Sequence, residues 1–169
     1  MKKSLFLSVA CAALALCGVA ADARKVAAFA RNESGKPEMD ELVASVRERL
    51  AATFAEEGFK VVEAKLGDDD LKSPTNAVRK AGCDLLAVAA IRSGELTQGE
   101  DGGVLKNNYS LSLSLQVLDA KGEVVDGIPS WTGRDSLVGA GPTPVEAFRQ
   151  ILENWASEVS VFVMTKIQK

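Results

Sequence analysis

Histidine is absent from all 169 residues, and that single gap removes several kinds of chemistry at once. Ser-His-Asp and Cys-His hydrolases need an imidazole to carry the proton. The usual zinc sites need it as a ligand, and it is the commonest general base near neutral pH. Cysteine is almost as scarce: of the 3 in the chain, Cys11 and Cys17 fall in an N-terminal leader. Cys83 is then alone in the body, and no intramolecular disulfide can form. Placed between Gly82 and an apolar run, it reads as a small buried hydrophobe rather than a reactive thiol. Basic runs are also missing and the formal net charge is −3, so the chain lacks the electrostatic footprint of a nucleic-acid binder. No apolar run approaches the roughly 20 residues that a membrane-crossing helix needs.

What is present begins with an export signal. Lys2 and Lys3 make a positive start, residues 5–16 form an apolar run, and Ala21-Asp22-Ala23 offers small residues at −3 and −1 of a cleavage point. Residues 1–23 therefore read as a signal peptide and residues 24–169 as one periplasmic domain, away from cytosolic ATP and NAD. A second ending is open: Leu14-Ala15-Leu16-Cys17 is similar to a lipobox, and acylation of Cys17 would make an outer-membrane-anchored lipoprotein. Leu16 stands where Gly, Ala or Ser is usual, so cleavage after Ala23 is the expectation and membrane contact follows only if Cys17 is lipidated. With 47% hydrophobic and 25% charged residues, the chain is globular in composition.

Periodicity organises that body. Residues 25–30 form an apolar strand. Pro37 suits a first helical turn, and Met39, Leu42, Val43, Val46, Leu50 and Phe54 then recur at helical spacing until Gly58 stops the helix. Residues 59–64 read as a second strand, and Ser73-Pro74 opens a short helix that Gly82 ends. Residues 85–91 are continuously apolar, as in a strand covered on both faces. Residues 110–117 instead alternate strictly, with Leu111, Leu113, Leu115 and Val117 facing a core and Ser110, Ser112, Ser114 and Gln116 facing out. A turn at residues 119–122 leads into a fifth strand that begins at 123–126 and resumes at 130–137. Thr143, Pro144 and Glu146 make the cap, first turn and capping-box partner of a last helix, whose stripe is Phe148, Ile151, Leu152, Trp155, Val159 and Phe162. Right-handed crossovers put the first two helices on opposite faces. The expected fold is α/β: a mixed five-stranded sheet in order 2-1-3-4-5, strands 1–3 parallel and 3-4-5 antiparallel, with three helices.

Three segments look chemical and fail on their own residues. Ala30-Arg31-Asn32-Glu33-Ser34-Gly35-Lys36 resembles a phosphate loop in which Ala30 and Pro37 occupy the places of Gly and Ser or Thr. Asp68-Asp69-Asp70 lacks the alternating ligands of a calcium loop and reads as a solvated loop. Gly99-Glu100-Asp101-Gly102-Gly103 reads as a hairpin tip. No cofactor and no metal set is expected.

Phe29-x-x-Asn32-x-Ser34-Gly35 after an apolar strand, Gly58-Phe59-Lys60-Val61-Val62, Ala81-Gly82-Cys83-Asp84-Leu85-Leu86 and the turn Asp119-Ala120-Lys121-Gly122 occur in the order seen in the TolB amino-terminal domain superfamily. The chain resembles that superfamily, with its CsgG-like members and its lipoproteins that activate penicillin-binding proteins, over nearly the whole body. The resemblance implies a TolB-like fold and a non-catalytic envelope binding or adaptor domain, docking on a cell-wall synthase. No long amphipathic insertion of the kind a CsgG-like pore requires is visible in the pattern. A self-assembling or secretion-associated component and a carboxylate-only hydrolase are the alternatives, and oligomeric state is left open. The expected contact is the outward row Ser110, Ser112 and Ser114, beside a Gly-rich segment 94–108 expected to be a mobile loop. An ordinary solvated sheet face is the plain alternative.

Overall fold

The structure, a computed structural model, describes residues 23–101, 104–138 and 144–168. Residues 1–22 of the expected signal peptide 1–23, Cys17 among them, and the expected cap Thr143 lie outside them. Eight elements follow in order: β1 (Lys25–Asn32), α1 (Asp40–Glu56), β2 (Lys60–Val61), α2 (Pro74–Ala81), β3 (Leu85–Asp101), β4 (Val104–Leu118), β5 (Val124–Val138) and α3 (Pro144–Phe162). The sheet order is β2-β1-β3-β4-β5, with β1 parallel to β2 and β3, and β3-β4-β5 antiparallel. This is the topology the crossover rule dictates. β1 to β2 moves one way and β2 to β3 moves back over β1, so right-handed connections fall on opposite faces.

Two cores result. On one face α1 and α3 bury Leu42, Val46, Leu50, Ile151, Trp155 and Val159 against Leu111, Leu113, Leu115 and Val117. On the other, the short α2 brings Ala77 and Val78 onto Ala27, Phe29, Leu86, Val88 and Leu118. The helices stop where the sequence provides a residue that tolerates left-handed backbone: Gly82 caps α2 at φ 64° and Gly58 follows α1 at φ 85°. All six residues of the expected α3 stripe are buried, and the helix continues through a π turn, Val163–Ile167. No helix among the described residues is long and apolar enough to cross a membrane.

Three strand expectations need correction. β2 is two residues long, not residues 59–64: Val62 still donates its N–H to Val26 O at 2.9 Å, and the chain then leaves the sheet as Val62, Ala64 and Leu66 pack on the α2 core. Phe59 turns the other way, edge-on to Phe54 with ring centroids 5.4 Å apart. Segment 94–108 is not a loop: apart from residues 102–103, it is the continuation of the β3–β4 hairpin, paired in register from Gly94↔Leu111 to Asp101↔Val104. Gly94 is there for proximity rather than turning, since a Cβ would lie 2.1 Å from Met39 Sδ. The fifth strand is likewise unbroken, running through Pro129 by means of a bulge. Leu113 pairs with Trp131 and Leu115 with Ile128, so two residues, Pro129 and Ser130, oppose Ser114. An edge strand loses no ladder bond to a proline.

Candidate functional site

Helix α2 covers only the β1–β3 half of its face, and the half made by the distal part of β3 with β4 and β5 carries polar side chains. A second bulge equips it. Ile91 pairs with Leu113 and Ser93 with Ser112, leaving Arg92 as the extra residue. A bulge of this kind turns two successive side chains to one side, so Arg92 and Ser93 both emerge on the polar face. Arg92 Nε donates to Ser114 Oγ at 2.9 Å, and its guanidinium also meets the carboxylate of Glu33, which Arg31 holds from the other side.

This corrects the outward serine row. Ser114 is only 4% exposed, lying under Arg92, and is structural. Ser112 is half-buried and its hydroxyl receives Thr132 Oγ1 at 3.3 Å. Ser110, also half-buried, sits opposite Arg134. Ser110 and Arg134, with Glu95, Thr97, Asn108 and Ser136, line an open groove of about 570 Å³. Of the three expected residues Ser110 alone lines the groove, Ser112 lies on the same face beside Thr132, and Ser114 is buried beneath Arg92. Arg92, Glu33, Thr132 and Arg134 were missed. Their only signal in the sequence is Arg92-Ser93, two polar residues in succession that break the run from Leu85 to Ile91.

The other segments resolve into scaffolding. In the loop after β1, Asn32 Nδ2 donates to Lys36 O at 2.8 Å and Asp40 Oδ1 at 2.7 Å. The amides that would cradle phosphate are engaged: Ser34 N–H donates to Asn32 Oδ1 at 2.9 Å and Lys36 N–H to Ser34 Oγ at 3.1 Å. Lys36 Nζ donates to Gly94 O at 2.9 Å, tying the loop to β3. The acidic run is a 3-10 turn, Asp68–Lys72, rather than a free loop. Asp70 accepts from Lys80 Nζ at 2.8 Å and from Gly67 N–H at 2.8 Å, and those bonds hold its carboxyl below the ordinary value. Burial pushes the Cys83 thiol up, which keeps it protonated and inert. No group of three His, Cys, Asp or Glu residues is arranged for a metal among the described residues. On the α1–α3 face, Met39, Leu96, Tyr109 and Phe148 border a smaller apolar groove of about 400 Å³, with Lys36 at its rim.

No protein-family model and no curated protein sequence matches the chain. Solved structures do. A hypothetical protein from Chlamydia trachomatis superposes with a TM-score of 0.54 at 16% identity, covering 83% of this chain and 98% of its own. A Xanthomonas campestris protein of the DUF330 family gives 0.50 at 14% identity, covering 86% and 85%. A lipoprotein from Neisseria meningitidis gives 0.48 at 15% identity, covering 84% and 98%. At such identities the likeness is one of fold.

Proposed function

We propose that the chain is an exported, non-catalytic binding domain of the bacterial cell envelope, with a protein partner docking on the uncovered half of the sheet. The observation that carries this reading is the mismatch of lengths. An eight-residue α2 faces strands of 17, 15 and 15 residues, which leaves Ser110, Ser112, Thr132 and Arg134 without a covering element among the described residues. Small hydroxyls on a flat face allow close backbone approach, and Arg134 beside them adds a charged anchor of the kind enriched at interface centres. Export is supported by the charged, apolar and small-residue sections of residues 1–23. A non-catalytic role is supported by the missing histidine and by Glu33 and Asp70, two carboxylates engaged by cations. A cell-wall synthase is the partner class favoured by the resemblance to activators of penicillin-binding proteins.

The test is capture of crosslinked partners from envelope extracts by wild type and by Ser112→Arg. The bulky cation should abolish capture while circular dichroism stays that of the wild type, because Leu111 and Leu113 keep the core. Undiminished capture by the folded variant removes this face.

A further inference from the structure

β5 is a long edge strand, and no strand lies beyond it among the described residues. Such an edge offers a row of free backbone groups to a second copy of the chain. On β5 these groups are intercepted locally. Gly127 N–H donates to Asp126 Oδ1 at 2.8 Å, and Ser136 N–H donates to Asp135 Oδ1 at 2.7 Å. Gly127 pairs with Gln116 and Ser136 with Asn108, residues of the polar face. Because N–H direction and side-chain facing alternate together along a strand, both amides belong to the set that points away from β4. Between them stands Pro129, which has no N–H to give. The opposite edge, β2, is only the two exposed residues Lys60 and Val61, too short to template a partner.

We infer that Asp126, Pro129 and Asp135 form a device that closes the β5 edge against strand addition by another copy of this chain, so that the sheet does not polymerise edge to edge. The device is independent of the docking proposal, which concerns the face. It works by hydrogen bonding and by a missing donor, not by charge alone. An asparagine keeps the acceptor oxygen and loses the charge, whereas an alanine loses both.

Sedimentation velocity over a concentration series, on the processed full chain, tests it. The triple variant Asp126→Ala, Pro129→Val, Asp135→Ala should form dimers or larger species at concentrations where wild type sediments as before. The pair Asp126→Asn, Asp135→Asn, with the same charge as the alanine variant, should sediment like wild type. A folded triple variant that associates no more than wild type overturns the inference, as does equal association by the asparagine pair. Amide exchange on the wild type decides the matter without any variant. Gly127 and Ser136 amides should exchange at least tenfold more slowly than the Arg134 amide, which points the same way without a cap. Equal rates overturn it.

Discussion

Arg92 on the β3 bulge donates through Nε to the hydroxyl of Ser114 at 2.9 Å, so a serine that alternates outward on β4 is buried by its cross-strand neighbour. The three serines of one strand therefore differ in worth. Ser114→Ala removes a buried hydroxyl that satisfies an arginine and should cost about 1 kcal/mol. Ser112→Ala, whose bond to Thr132 is long and half-exposed, should change stability by less than about 0.5 kcal/mol. Urea midpoints measure both. Making Ser114→Ala in an Arg92→Ala background should cost less than in the wild type, because the two residues share one bond.

The α3 side of the sheet is the mechanical core. Trp155 is fully buried, so Trp155→Ala should cost about 3–5 kcal/mol. Its indole Nε1 has no hydrogen-bond partner among the described residues, so Trp155→Phe, which loses no bond, should cost much less.

Gly133 tests the same interface by addition. A Cβ there would lie 2.6 Å from Ile151 Cγ2 and 2.4 Å from Trp131 Cη2. Gly133→Ala should therefore destabilise by about 1–3 kcal/mol through overpacking, read as a fall in the thermal midpoint. A neutral or stabilising result would mean that β5 and α3 stand further apart than described.

Asp70 provides the pH test. Its hydrogen bond from Lys80 lowers the folded carboxyl below the ordinary value, with Gly67 N–H assisting. A depressed folded value means that the stabilisation is present above the unfolded value and disappears as pH falls through the folded one. Water screens the pair, so the gain is small. An NMR titration should place the Asp70 midpoint below the ordinary carboxylate range, and Lys80→Gln should raise it.

Much of this architecture was legible because it rests on local rules. The strict alternation of Leu111, Leu113, Leu115 and Val117 fixes which face of β4 is core, and Gly58 and Gly82 mark helix ends by their backbone freedom. The illegible parts are pairings between distant residues. Nothing near Ser114 distinguishes it from Ser112; the difference is Arg92, 22 positions away. Gly94 carries the same letter as a turn glycine, yet sits in a strand because Met39 passes close by. The gap expected at residues 127–129 of the fifth strand is closed by a bulge at Pro129 and Ser130, which an edge strand absorbs. Asp126 and Asp135 are ordinary loop-type residues in sequence, and only their position on an outer strand turns their side chains toward the edge amides.

The central claim is that the uncovered half of the sheet, not the helical side, meets the partner. A photo-crosslinking side chain placed at Arg134, on the open face, and separately at the exposed Ala44 of α1, tests it in intact envelopes. The account predicts a discrete crosslinked protein from position 134 that disappears when Ser112→Arg is added, and none from position 44. A crosslink from position 44 with none from position 134 would contradict it.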